Sequence, residues 1–75
     1  MAEIVMPRLS DTMEEGTIVE WLVEEGASVG AGDELVEIQT DKAIATYEAE
    51  EAGVLHIVAA VGDTVPLGGV IAELR

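Results

Sequence analysis

Apolar and polar residues alternate with a period of two along much of this chain. Val36 and Ile38 alternate with Glu37, and Ala45, Tyr47 and Ala49 alternate with Thr46 and Glu48. Val70, Ala72 and Leu74 alternate with Ile71 and Glu73, while Val19, Trp21 and Val23 share a side that Glu20 does not. Successive side chains of a strand point to opposite faces, so this pattern predicts half-buried strands. Gly-containing turns separate the segments, which is the signature of a small all-β sandwich or barrel. A hairpin is predicted from strands over 34–39 and 43–49, with Thr40-Asp41-Lys42-Ala43 at its tip.

Two stretches carry a competing helical signal. Residues 17–25 place Ile18, Trp21, Leu22 and Glu25 at helical spacing. Residues 41–52 hold Ala, Glu and Lys in helix-favouring proportions, with Asp41 as a possible N-cap and Gly53 as a stop. Propensity alone favours helix over 41–52.

An internal repeat decides for strands. At an offset of 36 residues Gly26-Ala27-Ser28-Val29 meets Gly62-Asp63-Thr64-Val65, and Gly32 meets Gly68. Leu35 then meets Ile71, Glu37 meets Glu73, and Ile38 meets Leu74; upstream, Ile18, Trp21 and Leu22 meet Val54, Ile57 and Val58. The β-branched run 54–58 prefers sheet, and its mate should share that state. Two copies in one small chain predict a pseudo-twofold structure rather than a solenoid, which needs three or more units.

Composition narrows the function classes. With 75 residues there is room for one domain, and 49% apolar residues are too many for a disordered acidic tail. Stability on the per-residue scale is about 4–11 kcal/mol. Sixteen acidic residues against three basic ones give a formal charge of −13, which repels nucleic-acid phosphates and anionic membrane surfaces. No apolar run is long enough to span a bilayer, and the N-terminal residues lack a signal peptide's basic start and apolar core. Cysteine is absent, which excludes a disulfide framework and a thiolate metal site. One histidine, His56, cannot build a zinc site alone, and a carboxylate-only site would suit Ca²⁺ or Mg²⁺. These readings describe an acidic domain whose partners are proteins with basic patches.

The basic residues are Arg8, Lys42 and Arg75, so Lys42 is the only lysine. A lysine in a turn is ordinarily a solvated residue, and a base-poor composition is one account of its isolation. Asp41 suits a turn, because its carboxylate can accept nearby backbone N–H bonds. Asp-Lys is nevertheless not the Asn-Gly or Asp-Gly pair that two-residue hairpins prefer. The other account is therefore an addressable amine, placed for chemistry rather than for turning the chain.

The residues around Lys42 carry a resemblance. Glu37-Ile38-Gln39-Thr40-Asp41-Lys42-Ala43 resembles the lipoylation motif Glu-Thr-Asp-Lys-Ala of 2-oxo acid dehydrogenase complexes. Met6-Pro7-Arg8-Leu9-Ser10-Asp11-Thr12-Met13-Glu14-Glu15-Gly16 resembles the start of lipoyl domains in dihydrolipoamide acyltransferase (E2) components, most of all the pyruvate dehydrogenase type. Gly26, 16 residues before Lys42, and Gly53, 11 after it, match two family glycines, and Gly62-Asp63-Thr64-Val65-Pro66-Leu67-Gly68 also fits. The resemblance covers the whole chain. Gln39 departs from it, standing where the family usually has a Glu that helps lipoylating enzymes recognise their target.

The resemblance implies a flattened barrel or sandwich of two four-stranded antiparallel sheets with pseudo-twofold symmetry. It puts Lys42 at the exposed tip of a tight turn at one end and both termini at the other. It further implies lipoic acid in amide linkage on Lys42, and a swinging arm that carries substrate without catalysing. The implied partners are a thiamine-diphosphate decarboxylase (E1), the acyltransferase core, a flavin dihydrolipoamide dehydrogenase (E3), and a lipoate ligase or lipoyl transferase. Gln39, Thr40, Asp41 and Ala43 would then serve recognition around the lysine. The loop Arg8, Leu9, Ser10, Asp11, Thr12, Met13, Glu14 and Glu15 would lie beside the turn and help the decarboxylase choose its cognate domain. The residues of that loop alone read as a polar connector, with Leu9 and Met13 available for packing or for recognition. Residues 1–75 would be one lipoyl domain, a monomer in isolation and a fragment of a longer acyltransferase, in bacterial cytoplasm or mitochondrial matrix.

Other readings are weaker. A biotinyl carrier domain shares the fold but usually flanks its lysine with methionines, where this chain has Asp41 and Ala43. An unmodified β-sandwich interaction module would make the lone lysine and both glycine spacings coincidental. An independent enzyme lacks a constellation, because the adjacent pairs Glu24-Glu25 and Glu50-Glu51 point to opposite faces of a strand. Trp21, Tyr47 and His56 read as core or half-buried fillers.

Overall fold

In the computed structural model, which describes residues 2–41 and 43–75, those residues form eight β-strands and no helix. They are β1 (Ala2–Val5), β2 (Glu15–Trp21), β3 (Ser28–Val29), β4 (Glu34–Gln39), β5 (Ile44–Glu48), β6 (Gly53–Ile57), β7 (Thr64–Pro66) and β8 (Val70–Leu74). All pairings are antiparallel, in one sheet of order β1-β8-β6-β3 and a second of order β5-β4-β2-β7. Both helical signals yield to this pairing: β2 occupies most of 17–25, and β5 lies within 41–52.

The two sheet orders are the sequence repeat in three dimensions. Adding four to each strand number, and returning to β1 after β8, converts one order into the other. The backbone repeats too. Gly26 and Gly62 have φ of 84° and 94°, and Gly32 and Gly68 have 90° and 85°. Leu22 N–H donates to Leu35 O at 2.8 Å, and its mate Val58 N–H donates to Ile71 O at 3.0 Å. The turn between β4 and β5 is thereby the pseudo-twofold mate of the gap between β8 and β1, where the chain's two ends lie side by side.

Bulges correct the simple alternation. In the β4–β5 pairing Glu34 and Val36 oppose Glu48 and Tyr47, so Leu35 is the extra residue. In the β1–β8 pairing Val70 and Ala72 oppose Val5 and Ile4, so its repeat mate Ile71 is extra. A bulge shifts the inward phase by one residue. Ile71 therefore points into the core with Ala72, and Val70 is only half-buried, against the face that strict alternation assigns it. Val19 is extra between β2 and β4, which leaves Ile18 as the strand's fully buried side chain and Val19 and Trp21 half-buried. Leu35, Val36, Ile38, Leu55, Ile71 and Ala72 are wholly inaccessible and form the centre between the sheets. Trp21 packs beside them and satisfies its indole N–H on Ala59 O at 2.8 Å.

Gly26 and Gly53 hold the frame for different reasons. A Cβ at Gly53 would lie 3.1 Å from Leu74 Cβ and 3.2 Å from Arg75 O, a tight approach that a larger residue could enter only if the C-terminal strand gave way by a few tenths of an ångström. A Cβ at Gly26 would meet nothing within 4 Å, which leaves its positive φ as the whole constraint. Gly26→Ala is accordingly expected to cost about 1–2 kcal/mol, the left-handed penalty of an L-residue. Urea denaturation should show a lower midpoint at an unchanged slope, and an unchanged midpoint would contradict that origin.

Candidate functional site

The site is built on the β4–β5 hairpin. Gln39 pairs with Thr17 on one side and Ile44 on the other, which carries a regular ladder to the edge of the turn. Thr40 then closes the turn. Its N–H donates to Ala43 O at 2.8 Å, its hydroxyl donates to the same oxygen at 2.9 Å, and Ala43 N–H donates to that hydroxyl at 3.2 Å. The threonine hydroxyl thus supplies the closure that an Asn-Gly pair would otherwise provide. Lys42 lies outside the described residues.

The connection between β1 and β2 lies against this turn. Its two methionines, Met6 and Met13, are buried in the core and fix both ends. Between them Arg8 donates to Asp11 O at 3.2 Å, and Leu9 N–H donates to Met13 Sδ at 2.8 Å. Met13 therefore packs rather than presenting a surface, and half-buried Leu9 packs against the core as well. Ser10 Oγ donates to Asp41 Oδ1 at 2.9 Å, and Thr12 Oγ1 donates to Asp41 Oδ2. The loop is no free connector. Two of its hydroxyls hold the carboxylate that precedes Lys42 in the chain.

Loop and turn enclose an open cleft of about 400 Å³, lined by Thr12, Glu14, Glu15, Thr17, Gln39, Thr40 and Asp41. Among the described residues three carboxylates and no basic group line it, so their field favours cationic groups of a partner. Arg8, Asp11, Gln39 and Ala43 are exposed, and Ser10 is half-buried. Gly26 and Gly53 belong to the frame: Gly26 N–H donates to Leu55 O at 2.8 Å, and Gly53 abuts Arg75.

Sequence reasoning did not single out Ile44. It is 58% exposed at the start of β5, two residues after Lys42 in the chain. The alternation of Thr46 and Glu48, extended back by one step, places it on the outward face.

The remaining polar groups lie elsewhere. His56 Nδ1 is 2.9 Å from Glu25 Oε2, and Glu25 Oε1 accepts the Ile57 N–H at 2.7 Å, pinning the segment after β2 to β6. Tyr47 is half-buried on β5. Burial, then the charge of Glu50 and a hydrogen bond to it, push its phenol above the ordinary value, which keeps it protonated. Among the described residues no group of three or more His, Cys, Asp or Glu side chains is arranged to hold a metal ion, and no helix is long and apolar enough to cross a membrane.

Known proteins resemble this chain in sequence and fold. A family model described as "Biotin-requiring enzyme" matches residues 2–74. The chain is 49% identical over 74 residues to the dihydrolipoyllysine-residue acetyltransferase component of the pyruvate dehydrogenase complex of Zymomonas mobilis, covering 96% of this chain and 17% of that protein. It is 47% identical over 72 residues to the mitochondrial pyruvate dehydrogenase protein X component of Mus musculus, covering 93% of this chain and 14% of that protein. The chain therefore spans less than a fifth of the length of these curated relatives. The solution structure of the lipoyl domain of the 2-oxoglutarate dehydrogenase complex from Azotobacter vinelandii superposes with a TM-score of 0.81 at 32% identity, covering 100% of this chain and 96% of that one.

Proposed function

Because the chain belongs to the biotin- and lipoyl-attachment domain family, we propose that it is a lipoyl carrier domain with lipoic acid in amide linkage on Lys42. The observation that carries this reading is the placement of the only lysine. It follows Asp41, whose carboxylate two loop hydroxyls hold, and precedes Ala43, which closes the turn with Thr40. The residues present suit the group. Among the described residues, turn closure uses the backbone and the Thr40 hydroxyl, groups that an amide on the lysine would leave unchanged. When bound, the lipoyl group supplies a disulfide that takes up an acyl group with an electron pair and yields the acyl group to coenzyme A.

The chain's own residues present and steer that arm. The β4–β5 ladder runs up to Gln39 and Ile44, and an arm attached in the turn that follows would extend from the end of a sheet toward partner enzymes. Acylation of the amine removes its positive charge, taking the formal total from −13 to −14. The acidic cleft beside the turn favours basic approaches to the decarboxylase, the acyltransferase core and the flavin dehydrogenase, and the same charge disfavours self-association into dimers. Within a longer chain the domain would work by tethering, at local concentrations of about the millimolar scale. The relatives come from bacterial and mitochondrial complexes, and we assign this chain to an equivalent compartment.

Intact mass after incubation with lipoate ligase, ATP and lipoic acid tests the assignment, with biotin and biotin ligase in parallel. One lipoyl group and no biotin is the expected result. A gain of biotin would place the chain on the other branch of its family, and no gain with either would implicate Gln39 or leave an unmodified interaction module, which the Gln39→Glu variant separates. Gln39→Glu is expected to accelerate lipoyl attachment, because it restores a carboxylate to the cleft wall beside the turn. An unchanged initial rate would show that the ligase does not read this position.

A further inference from the structure

Ser and Thr hydroxyls in loops ordinarily bond to backbone groups a few residues away. Ser10 and Thr12 do not follow that habit here, since both reach a single carboxylate 31 and 29 residues distant in the chain. The loop has no need of them for its own shape. Met6 and Met13 anchor it in the core, and its internal bonds run through Arg8, Leu9 and the backbone of Ser10 and Met13. Asp41 is exposed, and an exposed acidic side chain in a turn otherwise samples several rotamers. Two donors on its two oxygens leave it essentially one orientation.

We propose that Ser10 and Thr12 are positioning residues for the Lys42 arm, acting through Asp41 rather than by touching a partner enzyme. By fixing that carboxylate they join loop and turn into one preorganised surface, so a docking enzyme meets a charge already in place and loses less entropy on binding. The inference rests on the lipoyl-carrier reading. It assigns the loop's hydroxyls to the geometry of the turn, and leaves Asp11, Glu14 and Glu15 free for direct contact.

The test uses the lipoylated chain, verified by intact mass, as acceptor for pyruvate and the decarboxylase of a bacterial pyruvate dehydrogenase complex. The Ser10→Ala/Thr12→Val double variant is expected to raise KM for the domain about fivefold with kcat nearly unchanged. In an Asp41→Ala background the same two substitutions should add less than about twofold, because their route is already removed. Thr12→Ser, which keeps the hydroxyl, should restore most of the loss when placed with Ser10 intact. A second readout needs no enzyme: ¹⁵N relaxation of the unmodified chain should show increased mobility at Asp41 in the double variant, with the sheets unaffected. Penalties that multiply in the Asp41→Ala background would mean direct contact with the partner and would overturn the positioning role. So would a double variant equal to the parent in both KM and mobility. A parent chain that gains no lipoyl group overturns the carrier reading instead, and the relaxation data still decide whether the hydroxyls hold Asp41.

Discussion

Lys42→Arg is expected to abolish lipoyl attachment completely while leaving the melting temperature within about 4 °C of the parent. The chemistry is strict. Amide formation needs a neutral amine as nucleophile, and guanidinium stays protonated at any pH where the protein is folded. Lys42 is the only lysine, so no other side-chain amine can substitute for it. Arginine keeps the charge and much of the length of lysine. Among the described residues the turn is closed between Thr40 and Ala43, with the Asp41 carboxylate held from the loop. The formal charge stays at −13, so the variant should elute from anion exchange with the unmodified parent, ahead of the lipoylated form at −14. Mass spectrometry, thermal melting and the elution position together check the prediction. A lipoyl group on the variant would move the attachment point away from Lys42, and a variant that fails to fold would make Lys42 a structural residue.

Much of this architecture was legible because the repeat repeats its glycines. Gly26 with Gly62 and Gly32 with Gly68 mark turns that need positive φ, at matching places in the two halves. Helix propensity over 41–52 misled because Ala and Glu score well in isolation, whereas β5 is held by its whole length against β4. The bulges at Val19, Leu35 and Ile71 were not legible. A bulge leaves no local composition signal, and its effect shows only when partner strands are aligned residue by residue. The candidate site divided the same way. Its motif stood in one contiguous run around Lys42, but the Ser10 and Thr12 contacts to Asp41 join residues about thirty apart through hydroxyls that no periodicity encodes. On residue pattern alone that loop reads as a connector, and only the folded arrangement shows it as one wall of a cleft.

The pseudo-twofold frame makes a quantitative demand on stability. Leu35→Ala and Ile71→Ala remove side chains that are both wholly inaccessible, both the extra residue of a bulge, and mates in the repeat. Truncating such a side chain costs about 2–5 kcal/mol, depending on how far the cavity collapses. The two side chains occupy mate positions in opposite sheets, so the two costs are expected to agree within about 1 kcal/mol. Against a total of about 4–11 kcal/mol for a chain of this length, either loss is a large fraction, and the double variant should be mostly unfolded at 37 °C. Urea denaturation of each single variant measures the difference directly, through the midpoint at constant slope. A cost below about 1 kcal/mol at one site and above 3 at the other would mean that the repeat is shared by the backbone but not by the packing. The functional corollary separates frame from site. Neither side chain lines the cleft, so at low temperature, where each single variant remains folded, both should accept a lipoyl group on Lys42 at nearly the parental rate. Loss of attachment in the folded Leu35→Ala variant alone would show that strand β4 transmits core packing to the turn it carries.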